Sequence, residues 1–227
     1  MTRDKIPLGI IFGRRSGTSS MARELFKLGY PLRGPLDCRP FPGSQPEGHY
    51  ETFRAREMNG QIMKWFTMQP ATPGLTPFLI YPHIQKWVSQ RKEPFVFKDP
   101  NTDLCWPIWV RSLPYRQLIG LWCRRDKVEQ RDSLIKRYRM DLDAAHWCVE
   151  MYEICIQAAC QHMPMREVQL EDPDRVEKAV SWFRSNGISV ASRHPEDIEV
   201  FALEEDQQSD LADGNGKAVQ EAECQRP

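Results

Sequence analysis

The 227-residue sequence has no surplus of either charge: Lys and Arg together number 31, as do Asp and Glu. No global charge therefore points to nucleic acid as a partner. No apolar run approaches the roughly 18 residues that a membrane-spanning helix needs, so no span is expected. The apolar stretch in the opening MTRDKIPLGIIFG is also too short for a signal peptide. Seven cysteines (Cys38, Cys105, Cys123, Cys148, Cys155, Cys160 and Cys224) form no CxxC pair and no secreted-scaffold spacing. Reduced thiols in a cytoplasmic protein are the expectation. Without a tight Cys/His cluster, no metal is expected.

What is present is ordinary for a globular chain: 41% hydrophobic and 27% charged residues, in a mass sufficient for one sizeable core. The balanced charge hides an asymmetry. From Leu203 onward seven acids (Glu204, Glu205, Asp206, Asp210, Asp213, Glu221, Glu223) face only Lys217 and Arg226. Taking those from the 31 of each sign leaves 29 basic and 24 acidic residues before them, a formal +5. A mildly basic body suits an anionic small ligand. The composition divides the chain into a domain over 1–202 and an acidic tail over 203–227, whose lack of large apolar residues predicts disorder.

Along the body, short apolar runs alternate with amphipathic stretches. Pro7–Phe12, Phe95–Phe97, Leu118–Cys123 and Val168–Leu170 read as strands. Met21, Leu25 and Leu28 lie at helical spacing, with Gly29 suited to a C-terminal cap. Further helices are predicted over 51–66, with Phe53, Met58 and Ile62 on one side, and over 78–91, 104–113 (interrupted near Pro107), 127–139, 142–161 and 175–184. Trp147, Cys148 and Cys155 read as core on one of these. Pro31, Pro35, Pro40, Pro42 and Pro46, with Gly34, Gly43 and Gly48, mark an extended loop over 30–50. A second Pro-rich link spans Pro70–Pro77. Strands alternating with helices imply an α/β fold, a three-layer sandwich around a central parallel sheet.

In such sheets ligands bind beyond the carboxyl ends of the strands. That rule selects Gly13–Ser20, Lys98–Asp99 and Arg124–Arg125. The loop GRRSGTSS offers backbone N–H groups at a helix start, the charge of Arg15 and the hydroxyls of Ser16, Thr18, Ser19 and Ser20. Its alternative reading is a serine helix cap. The Walker A spacing and its lysine are absent.

Arg15-Ser16-Gly17-Thr18-Ser19 resembles the 5′-phosphosulfate loop of the P-loop sulfotransferases, commonly P-[KR]-S-G-T-[ST], with Arg14 in place of the usual proline. Arg125, followed by Asp126, and Ser133 have the spacing of that family's arginine and serine for the donor's 3′-phosphate. Lys98-Asp99-Pro100 resembles the K-D-P-R that ends a strand in bacterial members, with Asn101 for the arginine. EGHYE at 47–51 is similar to their N-P-x-G-Y-x-E. The order and spacing of all four segments agree over roughly residues 8–183, and their joint occurrence is far more specific than any one of them.

The resemblance implies a P-loop nucleotide-binding fold and transfer of a sulfuryl group from 3′-phosphoadenosine 5′-phosphosulfate to a small-molecule or glycan hydroxyl or amine. Arg14, Arg15, Ser16, Gly17, Thr18, Ser19 and Ser20 would hold the donor's 5′ end, and Arg125 and Ser133 its 3′-phosphate. Arg15 would neutralise charge developing towards the leaving phosphate, and Lys98 would contact sulfuryl oxygens. Glu51, Asp99 and His49 are the candidate bases. Glu51 leads because it begins a helix after a loop; as a first-turn acid it could equally complement the helix dipole. The glycine-rich C-terminal segment that many animal relatives use for the 3′-phosphate is missing. Two alternatives stand beside this reading: a small-molecule kinase-like P-loop enzyme, which the missing Walker lysine opposes, and a degenerate nucleotide-binding protein without catalysis.

Overall fold

The computed structural model describes residues 5–32, 36–37, 49–67 and 76–190. The acidic tail, most of the Pro-rich loop and much of the second Pro-rich link lie outside them. Four parallel strands form the central sheet: β1 (Ile6–Phe12), β4 (Phe95–Lys98), β5 (Arg116–Arg124) and β6 (Met165–Gln169), in the order β4-β1-β5-β6. An isolated parallel bridge from Leu32 to Val96 extends the β4 edge. A two-residue antiparallel pair, β2 (Leu36–Asp37) with β3 (Glu51–Thr52), stands apart.

Strand alternation sorts the core into two layers, as the period of two requires. Leu8, Ile10 and Phe12 of β1, Phe95 and Phe97 of β4, and Leu118 and Trp122 of β5 face one side. There they meet α2 (Phe53–Thr67), α3 (Thr76–Ser89), α4 (Thr102–Ser112) and α6 (Leu142–Ala159). Ile11, Val96, Ile119, Leu121 and Cys123 face the other side, against α1 (Thr18–Lys27) and α7 (Arg175–Ser185). Helix α5 (Lys127–Tyr138) packs on α6 through Leu134, Ala145, Val149 and Tyr152. The expected α/β architecture, a parallel sheet between helical layers, is the one observed.

Five local expectations need correction. Helix α4 runs unbroken through Pro107; the proline forfeits only the bond to the Asp103 carbonyl four residues back. Glu51 lies in β3, paired with Asp37, and the helix begins at Phe53. Phe53 and Leu28 are each 49% exposed, and Trp147 is 63% exposed. Their helices bury narrower stripes than their apolar residues suggest.

Candidate functional site

The strand-to-helix loop after β1 has an unusual backbone. Gly13 (φ +116°), Arg15 (φ +61°) and Gly17 (φ +77°) all adopt positive φ, at every second position. Alternation of this kind turns successive N–H groups towards one concave side, where an oxyanion can sit. The two glycines are required. A Cβ at Gly13 would lie 2.2 Å from the Cys123 carbonyl oxygen, and one at Gly17 would lie 2.4 Å from a Leu170 methyl. Arg15 takes the left-handed region despite its side chain, a strain that surrounding contacts must hold in place. Helix α1 follows with Gly17 as its N-cap and no side-chain cap. The serine-cap alternative is therefore not realised at that position, and the dipole end of α1 faces the loop.

The loop is pinned from behind. Asp103, wholly buried in the first turn of α4, accepts the Gly13 N–H at Oδ1 (3.0 Å) and the Arg14 N–H at Oδ2 (2.6 Å). The Gln130 side-chain amide donates to the Arg14 carbonyl at 2.6 Å. The Arg14 side chain donates to Asn101 Oδ1 (2.8 Å) and the Tyr138 hydroxyl (3.1 Å), with its guanidinium near the Tyr138 and Tyr152 rings. Arg14 and Asn101, the two departures from the sulfotransferase pattern, thus meet each other. Asp103 and Gln130 escaped the sequence reading. An acid in a helix's first turn ordinarily complements the dipole, and nothing in sequence spacing ties position 103 to position 13.

Arg15 donates from both Nε (2.9 Å) and Nη2 (2.7 Å) to the hydroxyl of Ser133, so two residues 118 apart in sequence converge. Among the described residues Arg15 has no carboxylate partner. Burial lowers its pKa, and the charges of Arg137, Arg14 and Arg125 act in the same direction against an opposing effect of Tyr138. Arg15, Arg125 and Arg137 make a cationic mouth, with the Arg14 guanidinium behind the loop. Arg125 borders it but pairs with Glu129 at 2.6 Å, while Asp126 caps α5 by accepting from Val128 and Glu129. On the Trp122 side a shallow cleft opens beside Gly13 and Ser16, lined also by Arg124, Arg125, Lys127 and Tyr152. Trp122 forms its wall, with the Arg124 guanidinium 4.8 Å from the ring centre.

On the opposite side Lys98 ends β4 with its side chain 2% exposed. Its ammonium donates to Ser19 Oγ (3.1 Å), the His49 carbonyl (3.2 Å) and Glu51 Oε1 (3.2 Å). Glu51 also lies 3.8 Å from Arg56. The structure therefore brings Lys98, Glu51 and the first turn of α1 together; His49 joins through its backbone. Asp99 is buried and accepts at Oδ1 from the Asn59 side-chain amide and the Asn101 N–H, while Oδ2 has no partner among the described residues. Burial, then the charge of Glu51, pushes its pKa up to about 6. Ser16, Thr18 and Ser19 are buried in the loop and first turn, and Ser20 is half-buried.

No family profile matches this chain, and no curated protein matches it. Solved structures do resemble it. A gluconokinase from Sinorhizobium meliloti 1021 is 13% identical, with 82% of this chain and 95% of that one covered and a TM-score of 0.43. A deoxyadenosine kinase from M. mycoides, solved with bound dATP, is 14% identical over 79% of this chain and 100% of its own, with a TM-score of 0.41. Both are kinases and neither is a sulfotransferase. Likeness at this level carries no assignment of activity.

Proposed function

We propose that this chain binds an anionic nucleotide donor on the Gly13–Ser20 loop and transfers the donor's terminal charged group to a small acceptor. The observation that carries this reading is the convergence of Arg15 and Ser133 at an alternating-φ loop flanked by Arg125 and Arg137 and backed by Arg14. A preorganised set of N–H groups and cations stabilises charge spread over equatorial oxygens during group transfer.

Within this reading sulfuryl transfer from 3′-phosphoadenosine 5′-phosphosulfate fits the side chains best. Thr18 follows Gly17 where a Walker loop needs lysine, and the cations come instead from Arg15 and Lys98. Arg15 would bridge the sulfuryl and 5′-phosphate groups. Ser133 and Arg125, released from Glu129, would take the 3′-phosphate. Lys98 would meet the transferred group, and Glu51, at hydrogen-bond distance from that lysine, would accept the acceptor's proton. The acceptor hydroxyl or amine would enter from the side of Glu51.

A second reading, kinase-like phosphoryl transfer, is favoured by one observation. Asp99 holds a buried carboxylate oxygen that has no partner among the described residues, next in sequence to Lys98. Such an oxygen is suited to water or a cation accompanying ATP. The names of the two solved neighbours accord with this alternative better than with sulfuryl transfer, without deciding it.

Thermal unfolding with adenosine 3′,5′-bisphosphate, and separately with ATP and magnesium, tests the choice. A ligand of the native state at a hundredfold excess over its Kd adds about 2.7 kcal/mol. Stabilisation by the bisphosphate without magnesium is the expected result. Stabilisation by ATP–magnesium alone replaces it with the kinase reading.

A further inference from the structure

The geometry points to Asp103 as the positioning residue of the anion site: by accepting the Gly13 and Arg14 amides together, its carboxylate holds the loop in the conformation that turns the later amides towards a bound oxyanion. This inference rests on the reading that the loop binds an oxyanion.

The contacts are long in sequence and specific in form. The two oxygens of one carboxylate, on α4, take two successive N–H groups of a loop 89 and 90 positions earlier. Those groups belong to the first of the three positive-φ positions and to the residue between the first and second. Arg14 is thereby clamped at its N–H, its carbonyl and its side chain, by Asp103, Gln130 and the Asn101–Tyr138 pair respectively. With Arg14 fixed, the left-handed Arg15 that follows has little freedom to relax. A buried acid that served α4 alone would use its oxygens on amides of its own helix.

Ionisation gives the arrangement a signature. Burial raises the Asp103 pKa to about 7, against the Gly13 and Arg14 amides and the Arg14 charge, which lower it; Asp99 raises it further. The other titratable groups coupled to it are Cys105 of α4, Cys123 of β5, and Tyr152 and Cys155 of α6. All four have their pKa values raised, Cys123 and Tyr152 to about 12, and stay neutral near pH 7. Within this cluster only Asp99 and Asp103 change charge between pH 5.5 and 8. A proton on Asp103 turns one oxygen into a donor, which cannot accept from an amide N–H, and one of the two tethers is lost.

Acidification then acts in opposite senses under the two possible roles. Were Asp103 only a nearby negative charge, its neutralisation would strengthen anion binding. As the residue that shapes the loop, its neutralisation weakens binding. Fold stability does not confuse the result. Because the folded pKa stands above the unfolded value of about 3.9, folding favours the protonated form. The group's contribution to stability is largest at acid pH and is lost as pH rises towards 7.

The test is isothermal titration of the full chain with sodium sulfate, dianionic throughout, at constant ionic strength from pH 8 to pH 6. Affinity is expected to fall about three- to tenfold, the limit for one proton being tenfold per pH unit. Asp103→Asn is expected to bind about tenfold more weakly at pH 8 and to show a flat profile, while Asp99→Asn keeps a slope of the same sign, moved towards lower pH because a charge that raises the Asp103 pKa is gone. Affinity in the unmodified protein that rises or stays level on acidification overturns the role of Asp103, whether or not Asp103→Asn folds. So does a slope that vanishes in Asp99→Asn and survives in Asp103→Asn. Arg15→Ala separates the two levels of the argument. If sulfate does not bind, or binds equally well without Arg15, the underlying reading of the loop fails. If Arg15→Ala weakens binding and Asp103→Asn does not, only the role of Asp103 falls.

Discussion

The Lys98–Glu51 pair supports a double-mutant cycle whose outcome depends on the pair's burial. The two side chains are 2% and 12% exposed, with 3.2 Å between charged atoms. Removing one partner strands the other charge away from water, which typically costs about 3–5 kcal/mol, whereas replacing both by neutral groups of similar volume is often close to neutral. Lys98→Met leaves Glu51, among the described residues, with Arg56 at 3.8 Å as its remaining cation, and also removes the donor to Ser19 and the His49 carbonyl. Glu51→Gln leaves the ammonium with neutral partners. Each single substitution should therefore lower stability, Lys98→Met the more. In a chain of this size about 3–5 kcal/mol corresponds to roughly 6–20 °C in Tm. Lys98→Met/Glu51→Gln should recover part of that loss, with a coupling of about 1–3 kcal/mol, keeping a residual deficit from the lost lysine contacts to Ser19 and the His49 carbonyl. Urea unfolding of the four proteins measures the coupling directly. Simple additivity would refute the reasoning, since it would mean that water or a mobile side chain already relieves the pair. The same variants carry a functional reading. Bisphosphate affinity should be almost unchanged in Lys98→Met while turnover falls, because a contact made mainly in the transition state appears in kcat.

Two further outcomes are expected. Ser133→Ala and Arg125→Ala should each weaken adenosine 3′,5′-bisphosphate binding by about 1.5–3 kcal/mol, the worth of a charge-assisted hydrogen bond, measured by calorimetry; unchanged affinity in both would detach α5 from the donor site. Gly17→Ala should abolish bisphosphate binding while costing only about 1–3 kcal/mol of stability, because it forces a side chain into positive φ and against Leu170; full binding by this variant would show that the loop does not need its observed shape.

Much of the fold was legible because periodicity and punctuation agree in this chain. The four sheet strands, α1 and the pairs of helices on either side of β5 follow from short apolar runs separated by Gly, Pro and charged residues. Glu51 misled because its two-residue pairing with Asp37 is a long-range contact with no local pattern. Trp147 misled because an apolar residue on a helix is only conditionally buried, and α6 turns that residue outward. In the site, each of the three segments was locally readable as a strand end, but their contacts were not. A family pattern put Arg15 and Ser133 on one donor, at its two ends, but their direct bond was not foreseen. Asp103, wholly internal and far along the chain, left no trace in spacing at all.

The departures from the sulfotransferase pattern gain physical sense once they are seen together. A proline at position 14 would have no N–H for Asp103 and no guanidinium for Asn101 and Tyr138. An arginine at 101 would set a second cation against Arg14. With Arg14 and Asn101 present, a cation sits behind the loop, its Nε buried without a partner among the described residues and its pKa, in spite of burial, held above the ordinary value by Tyr152, Tyr138 and Asp103. That cation partly offsets the carboxylate of Asp103, so the loop's anchor need not repel an incoming anion as strongly as a lone buried acid would. The division of labour follows from this. Residues 13 and 14 are fastened to α4 and α5, whereas Arg15 and the first turn of α1 face the cationic mouth. Substitution at Arg14 should therefore disturb the shape of the site before its charge. Exchange of Arg14 for lysine, which keeps the charge but cannot reach Asn101 and Tyr138 with a planar fork, should weaken anion binding nearly as much as exchange for methionine.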